Sequence, residues 1–293
     1  MGILKTIWPN FFIVGAPRAG TTTLYEYLRH TPGVYMPSPK EPNYFAPSLG
    51  ARYHVQPILR FDRQPRIRSQ ADYLNLFQCV KNQAAVGEAS ISYLSDPESP
   101  GRIKEAVPGA RIIMILRDPV EGVYSHYLMH VSHGWQRASF EDASRMDLYL
   151  GPRLYANQVQ RYLDLFGSDH TKVLIFEEFI QNPRKAVGEV LQFLGVNAEP
   201  PDLVGEAYNS FTTPRWSWTG PILRSRLIRI PIRLVPAQTR WIIIHDLLYR
   251  KADKPPMTER SRRFLEETFR SDVLGLEKIL GRMLHWFHRS EPS

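Results

Sequence analysis

Phe11-Phe12-Ile13-Val14-Gly15-Ala16-Pro17-Arg18-Ala19-Gly20-Thr21-Thr22-Thr23-Leu24 decides how the rest of this chain is read. Residues 11–14 are apolar and rich in β-formers, as a buried strand requires. Residues 15–20 form a small-residue turn with a glycine at each end. Thr21 opens a helix, where a hydroxyl can cap free N–H groups. Strand, small turn and helix N-terminus in succession suit a phosphate or sulfate, because exposed amides and the positive end of the helix dipole face the anion together. Arg18 adds a full charge, and the hydroxyls of Thr21, Thr22 and Thr23 add donors.

The turn nearly fits the nucleotide-binding pattern G-x-x-x-x-G-K-[ST], with Gly15 and Gly20 correctly spaced. It departs at Thr21, which stands where that pattern has lysine; the cation comes earlier, at Arg18. A nucleoside triphosphatase needs the lysine on its β- and γ-phosphates. Without it the turn still grips an anion but is poorly suited to moving a γ-phosphoryl group. The plainer alternative is a tight strand-to-helix turn with no ligand.

The 293 residues allow one large domain or two small ones, and 43% hydrophobic content supplies a packed core. No apolar run approaches the ~18 residues of a membrane span, and the N-terminus lacks the pattern of a secretory signal. The single cysteine, Cys79, excludes an internal disulfide and fits a reducing, cytoplasmic compartment; a small buried hydrophobe is its expected role. The formal charge of +8 favours polyanionic partners or serves solubility alone.

Along the chain, Leu24, Tyr25 and Leu28 give the first helix an apolar side. Val34-Tyr35-Met36 is a second strand. The prolines of residues 37–42 forbid regular structure there, so Lys40 and Glu41 lie in a stiff loop at a strand end. That is where open α/β sheets bind ligands; Glu41 is a candidate general base or a solvated surface carboxylate. Residues 46–80 read as an irregular excursion ending in a helix. Residues 84–87 form a third strand, and Glu88 at its end is either a site residue or a loop anchor. Residues 111–116 are the clearest strand and run into Arg117-Asp118-Pro119, with Asp118 at N-cap, Pro119 at N1 and Glu121 at N3 of a capping box. Arg117 is thus held beside a second helix N-terminus, either to bind a second phosphate bidentately or to make a structural ion pair. His126, His130 and His133 share a face of that helix. No carboxylate motif accompanies them, so an acceptor-facing or exposed surface is favoured over zinc.

Apolar residues at helical spacing mark 153–166, stopping at Gly167. Residues 173–176 are a strand, and Pro183 opens a helix closed by Gly195. Alternating strands and helices of this length imply parallel βαβ units. Residues 214–251 carry eight Arg or Lys against one acid, Asp246, interleaved with large apolar side chains. A membrane-surface patch, an acidic-acceptor or nucleic-acid groove and plain packing with basic flanks compete for it, with packing first. A last helix over 258–287 packs Phe264, Leu265, Phe269, Leu276, Ile279, Leu280, Met283 and Phe287.

Three motifs in order, Gly15-Ala16-Pro17-Arg18-Ala19-Gly20-Thr21-Thr22, Lys40-Glu41-x-x-Tyr44-Phe45 and Arg117-Asp118-Pro119 through Ser125, carry a resemblance. With them the chain is similar to the sulfotransferases that use 3′-phosphoadenosine 5′-phosphosulfate (PAPS), nearest the heparan-sulfate-type branch and its bacterial cousins. The likeness runs from about residue 10 to the final helix, including Leu276 to Trp286. It implies an α/β fold with a P-loop NTPase-like central parallel sheet flanked by helices. It implies one sulfotransferase domain over 1–293, with a variable basic and aromatic segment at 214–256 and a C-terminal helix at 257–293.

The resemblance also implies roles. Arg18, Ala19, Gly20, Thr21, Thr22 and Thr23 would cradle the 5′-phosphosulfate, with Arg18 standing where most members have lysine. Arg117 and Ser125 would hold the 3′-phosphate, and Arg215 looks like a late donor-binding residue. Glu41 would take the proton of an acceptor hydroxyl while Arg18 and the turn stabilise charge on the leaving oxygen. The reaction implied is sulfuryl transfer from PAPS to a hydroxyl of a carbohydrate, glycolipid or small metabolite, leaving 3′-phosphoadenosine 5′-phosphate (PAP), with no metal. No nucleic acid beyond the donor nucleotide is expected, and a peripheral membrane contact would fall in 214–251. Eukaryotic glycosaminoglycan members have a lysine where Ala89 stands, and their acceptor contacts differ from Asn43 and Ala46, so acceptor identity does not carry over. The rival readings are a P-loop kinase or NTPase, and a non-enzymatic basic module for glycans or membranes.

Overall fold

An unbroken apolar strand is stable only if both its faces are covered. The computed structural model describes residues 7–38, 40–46, 67–132, 135–202 and 254–287, and the backbone of 212–214 and 249–251. Five parallel strands form its sheet: β1 (Phe11–Gly15), β2 (Val34–Tyr35), β3 (Ala85–Ala89), β4 (Arg111–Leu116) and β5 (Thr171–Ile175). Their order is β2-β3-β1-β4-β5. β1 is therefore the middle strand, and every one of its residues is buried.

The chain leaves β1 for β2 and β3 on one side, then crosses to β4 and β5 on the other. That reversal makes the carboxyl end of β1 the topological switch point, where such sheets bind ligands. Helix α1 (Thr21–Arg29) follows the turn directly and buries Leu24, Tyr25 and Leu28. The helices Tyr155–Phe166 and Pro183–Leu194 bury Tyr155, Val159, Tyr162, Val187, Val190 and Leu191 in the same core as the strands. A smaller cluster joins Val120 and Val123 of helix Pro119–Ser132 to Leu265, Phe269 and Val273 of helix Glu259–Leu280. That last helix also supplies Asp272, whose carboxylate accepts from the N–H groups of Tyr155 at 2.6 Å and Ala156 at 3.2 Å, capping a helix over 100 residues away in sequence.

Several elements differ from the sequence expectations. The N-cap of α1 is Gly20, at φ 84° and without a side-chain cap bond, rather than a threonine hydroxyl; the left-handed backbone places the Gly20 carbonyl to accept from Leu24 N–H at 3.1 Å. β3 runs on through Glu88 to Ala89, so Glu88 lies within the strand, not after it. The C-terminal helix spans Glu259–Leu280 rather than 257–293 or 258–287, because Gly281 adopts φ 66° and closes it; Met283 lies beyond it and is 61% exposed. Cys79 is exposed, not a buried hydrophobe.

The two short strands β6 (Thr212–Pro214) and β7 (Tyr249–Lys251) pair antiparallel, with Thr212 opposite Lys251. Between them, residues 215–248 lie outside the described residues, and with them Arg215 and most of the basic, aromatic segment. Among the described residues no helix is long and apolar enough to cross a membrane.

The seam between β1 and β3 leaves no slack. A Cβ at Gly87 would fall 2.0 Å from the Phe11 ring, whereas one at Gly101 would meet nothing within 4 Å. Gly87→Ala should destabilise the fold by about 1–3 kcal/mol through overpacking, and Gly101→Ala should cost nothing. Urea denaturation of the two variants beside the wild type measures both.

Candidate active site

The turn after β1 is shaped by two left-handed residues, Arg18 at φ 61° and Gly20 at φ 84°. A non-glycine residue there costs about 1–3 kcal/mol and persists only where its surroundings hold it. Two contacts do so. Arg117 Nη1, at the end of β4, donates to the Arg18 carbonyl at 2.9 Å. Arg18 Nε donates to Ser125 Oγ at 3.4 Å, on the helix that follows Arg117. Arg18, Arg117 and Ser125, apart in sequence, thus converge at the carboxyl ends of β1 and β4. Thr21 is buried and Ala19 fully so, while Thr22 and Thr23 are partly exposed.

Positive charge is concentrated here. Burial and the Arg117 charge lower Arg18 to about 10, still cationic at neutral pH, and burial lowers Arg117. The Arg117 guanidinium lies 4.4 Å over the Phe176 ring, and its Nε is buried without a hydrogen-bond partner among the described residues. Such a donor is expensive to leave unmet. Lys254 faces the same pair: burial first, then Arg117, lowers its pKa, with Arg18 adding to the effect and Glu121 opposing it. An orphaned guanidinium N–H beside further cations and a helix N-terminus fits an anionic ligand.

Among the described residues Arg117 has no carboxylate within ion-pair distance, while Glu177, Glu121 and Asp118 lie near enough to favour its charged form. The capping box is also only half built. Asp118 Oδ1 accepts from Val120 N–H at 2.8 Å and Glu121 N–H at 3.3 Å. The return bond comes from Glu177, whose Oε1 accepts from Asp118 N–H at 3.2 Å, while Glu121 pairs with Arg262 at 2.8 Å.

The loop after β2 brings Glu41 to this turn through Lys40. Lys40 Nζ lies 3.2 Å from Thr22 Oγ1, 3.4 Å from Thr21 Oγ1 and 3.2 Å from Glu41 Oε1. One ammonium group therefore spans two hydroxyls at the start of α1 and the carboxylate. Glu41 itself is left-handed at φ 65°, and its N–H donates to the Ala89 carbonyl at the end of β3 at 2.9 Å.

Lys40, Lys254 and Arg153 carry weight that sequence reasoning did not assign them. Arg153 is fully buried, and its Nη2 donates to the Pro17 carbonyl of the turn at 3.4 Å. Lys40 could have been found from its place beside Glu41; nothing local distinguishes Arg153. His126 and His130 pack inward rather than on an exposed surface, with ring centres 4.4 Å apart. His130 Nδ1 is 2.9 Å from Tyr149 Oη, and burial together with the Arg153 charge pushes His126 well down. His133 lies outside the described residues, among which no group of three or more metal-binding side chains occurs.

A parallel sheet with a glycine-bracketed turn at its switch point defines a P-loop-like α/β protein. The chain belongs to the sulfotransferase family, whose model matches residues 9–200. It is 27% identical to human carbohydrate sulfotransferase 15, over 64% of this chain and 44% of that protein. It is 25% identical to mouse bifunctional heparan sulfate N-deacetylase/N-sulfotransferase 4, over 94% of this chain and 30% of that one. The chain thus spans less than half the length of these curated relatives. A solved sulfotransferase from Alicyclobacillus acidocaldarius superposes over 96% of this chain and 100% of its own, with TM-score 0.67 and 28% identity. Mouse sulfotransferase SULT7A1, solved with PAP, shares the fold at TM-score 0.52 and 14% identity.

Burial raises the Glu88 carboxyl to about 7, against about 4.3 in an unfolded chain. The folded state therefore holds this proton more tightly. Its contribution to stability is complete below about pH 4 and is lost as the pH rises toward about 7. Glu88→Gln removes that loss, so the melting temperature of the variant relative to wild type should climb between about pH 4.5 and 7 and then level off. Paired thermal melts across this range test the sign.

Proposed function

We propose that this chain transfers the sulfuryl group of PAPS to a hydroxyl acceptor, with Glu41 as general base. The observation that carries the reading is the Lys40 bridge, which ties a carboxylate from one strand end to the anion-binding start of α1 from another. Bound PAPS would supply an activated sulfuryl group and a PAP leaving group. Arg18, the amides of Ala19 and Gly20, and the hydroxyls of Thr21, Thr22 and Thr23 would hold its 5′-phosphosulfate. Arg117 and Ser125 would hold its 3′-phosphate, with Lys254 adding charge. Arg215 is part of the same proposal through the resemblance alone.

The division of labour follows from charge. Arg18 and Lys40 would meet negative charge on the leaving oxygen with fixed donors, which need no rearrangement. Glu41 accepts the acceptor proton as the acceptor oxygen bonds to sulfur and the bridging S–O bond breaks. A carbohydrate acceptor is supported by the names of the curated relatives, and the single cysteine supports a reducing, cytoplasmic setting. A kinase reading has less support, because Thr21 stands where the phosphate-binding lysine would be.

Transfer from labelled PAPS to a panel of saccharide, lipid and phenolic hydroxyls is the direct assay. Glu41→Gln should lower kcat by roughly a hundredfold or more while PAP affinity measured by calorimetry stays within about twofold. Equal loss of both would remove Glu41 from the role of base. In thermal shift, PAP at about 100 times its Kd should stabilise the protein by ~2.7 kcal/mol, and ATP should do markedly less; the reverse ranking would favour the kinase.

A further inference from the structure

Glu88 is wholly buried in the middle of the sheet, opposite Phe12 of β1. A buried carboxylate is costly unless its oxygens are met, and here both are. Tyr73 Oη donates to Oε2 at 2.5 Å and Ser90 Oγ donates to Oε1 at 2.5 Å. With its proton committed to Glu88, Ser90 Oγ turns a lone pair outward, where it accepts from Asn43 N–H at 3.1 Å. Asn43 Nδ2 in turn donates to the Glu41 carbonyl at 2.7 Å, and Ser92 Oγ donates to Asn43 Oδ1.

This chain of bonds ends on two left-handed residues, Glu41 at φ 65° and Asn43 at φ 53°. Asparagine enters this region readily, but for Glu41 it is costly and requires surroundings that over-determine it. The prolines flanking this loop deny it a regular ladder, so the restraint has to come from elsewhere. Among the described residues it comes from the end of β3, through Ala89, Ser90 and the buried carboxylate behind them.

We propose that Glu88 is a positioning residue: through Ser90 and Asn43 it fixes the left-handed backbone at Glu41 and so sets the direction of that carboxylate. The inference rests on Glu41 being the general base, but its structural half can be read without turnover. Native-state hydrogen exchange is to be followed for peptides covering 40–46 and 11–15 in wild type, Glu88→Gln, Ser90→Ala and the double variant. Exchange at 40–46 should quicken by about tenfold in each single variant while 11–15 keeps wild-type protection. The double variant should be no faster than the worse single one, because both changes cut one path. In the transfer assay kcat should fall about tenfold with PAP affinity unchanged.

Unaltered protection at 40–46, equal loss at 11–15, or multiplicative effects in the double variant would overturn the inference. If Glu88→Gln does not fold, Ser90→Ala alone decides by the same comparison. Wild-type protein that neither binds PAP nor turns over PAPS would instead reject the proposed function, leaving the exchange pattern to stand by itself.

Discussion

The bond of the Arg117 guanidinium to the Arg18 carbonyl ties the turn after β1 to the end of β4, beside that of Arg18 Nε to Ser125 Oγ. Arg18 occupies a backbone region that an arginine enters only under restraint. The guanidinium that restrains it is itself fixed by burial and by the Phe176 ring beneath it. If this contact were lost, the turn after β1 would relax, the cations would separate, and the helix N-terminus would face no common point. The central position of β1 makes the contact possible, since its neighbour β4 delivers Arg117 to the same sheet edge.

Around that contact the protein assembles charge that a folded chain ordinarily avoids. Arg18, Arg117 and Lys254 repel one another, and burial removes the water that would screen them. Arg153 donates to the Pro17 carbonyl of the same turn. Stability is given up here and recovered in the core, where β1 and β4 are apolar on both faces and the Tyr155–Phe166 helix borrows its cap from Asp272. The arrangement suits a ligand that arrives carrying negative charge at more than one point.

Much of this was legible in the sequence because it was local. The apolar runs at 11–14 and 111–116 declared buried strands, and glycines at 167 and 195 marked helix ends where the structure has them. What was not legible depended on distant partners. A threonine at the start of α1 predicts a hydroxyl cap, whereas Gly20 caps it by backbone conformation alone. The apolar run of residues 84–87 ends before Glu88, yet β3 includes it, because Tyr73 and Ser90 come to meet its carboxylate. Apolar residues continue past Gly281, which nevertheless closes the final helix. The position of Lys40 beside Glu41 was legible, but its bridge to the hydroxyls of α1 exists only once β2 and α1 lie side by side. Arg153 has no neighbours in sequence that hint at its burial.

The bond between Arg117 and Arg18 also works as a caliper. It fixes the Arg117 guanidinium to the Arg18 backbone, and the bond from Arg18 Nε to Ser125 Oγ ties the second guanidinium to the helix that follows Arg117. Cations locked at a set spacing respond to the separation of negative charges in a guest as well as to their sum. A guest with one charged end would engage one jaw; a guest whose two anionic ends matched the gap would engage both.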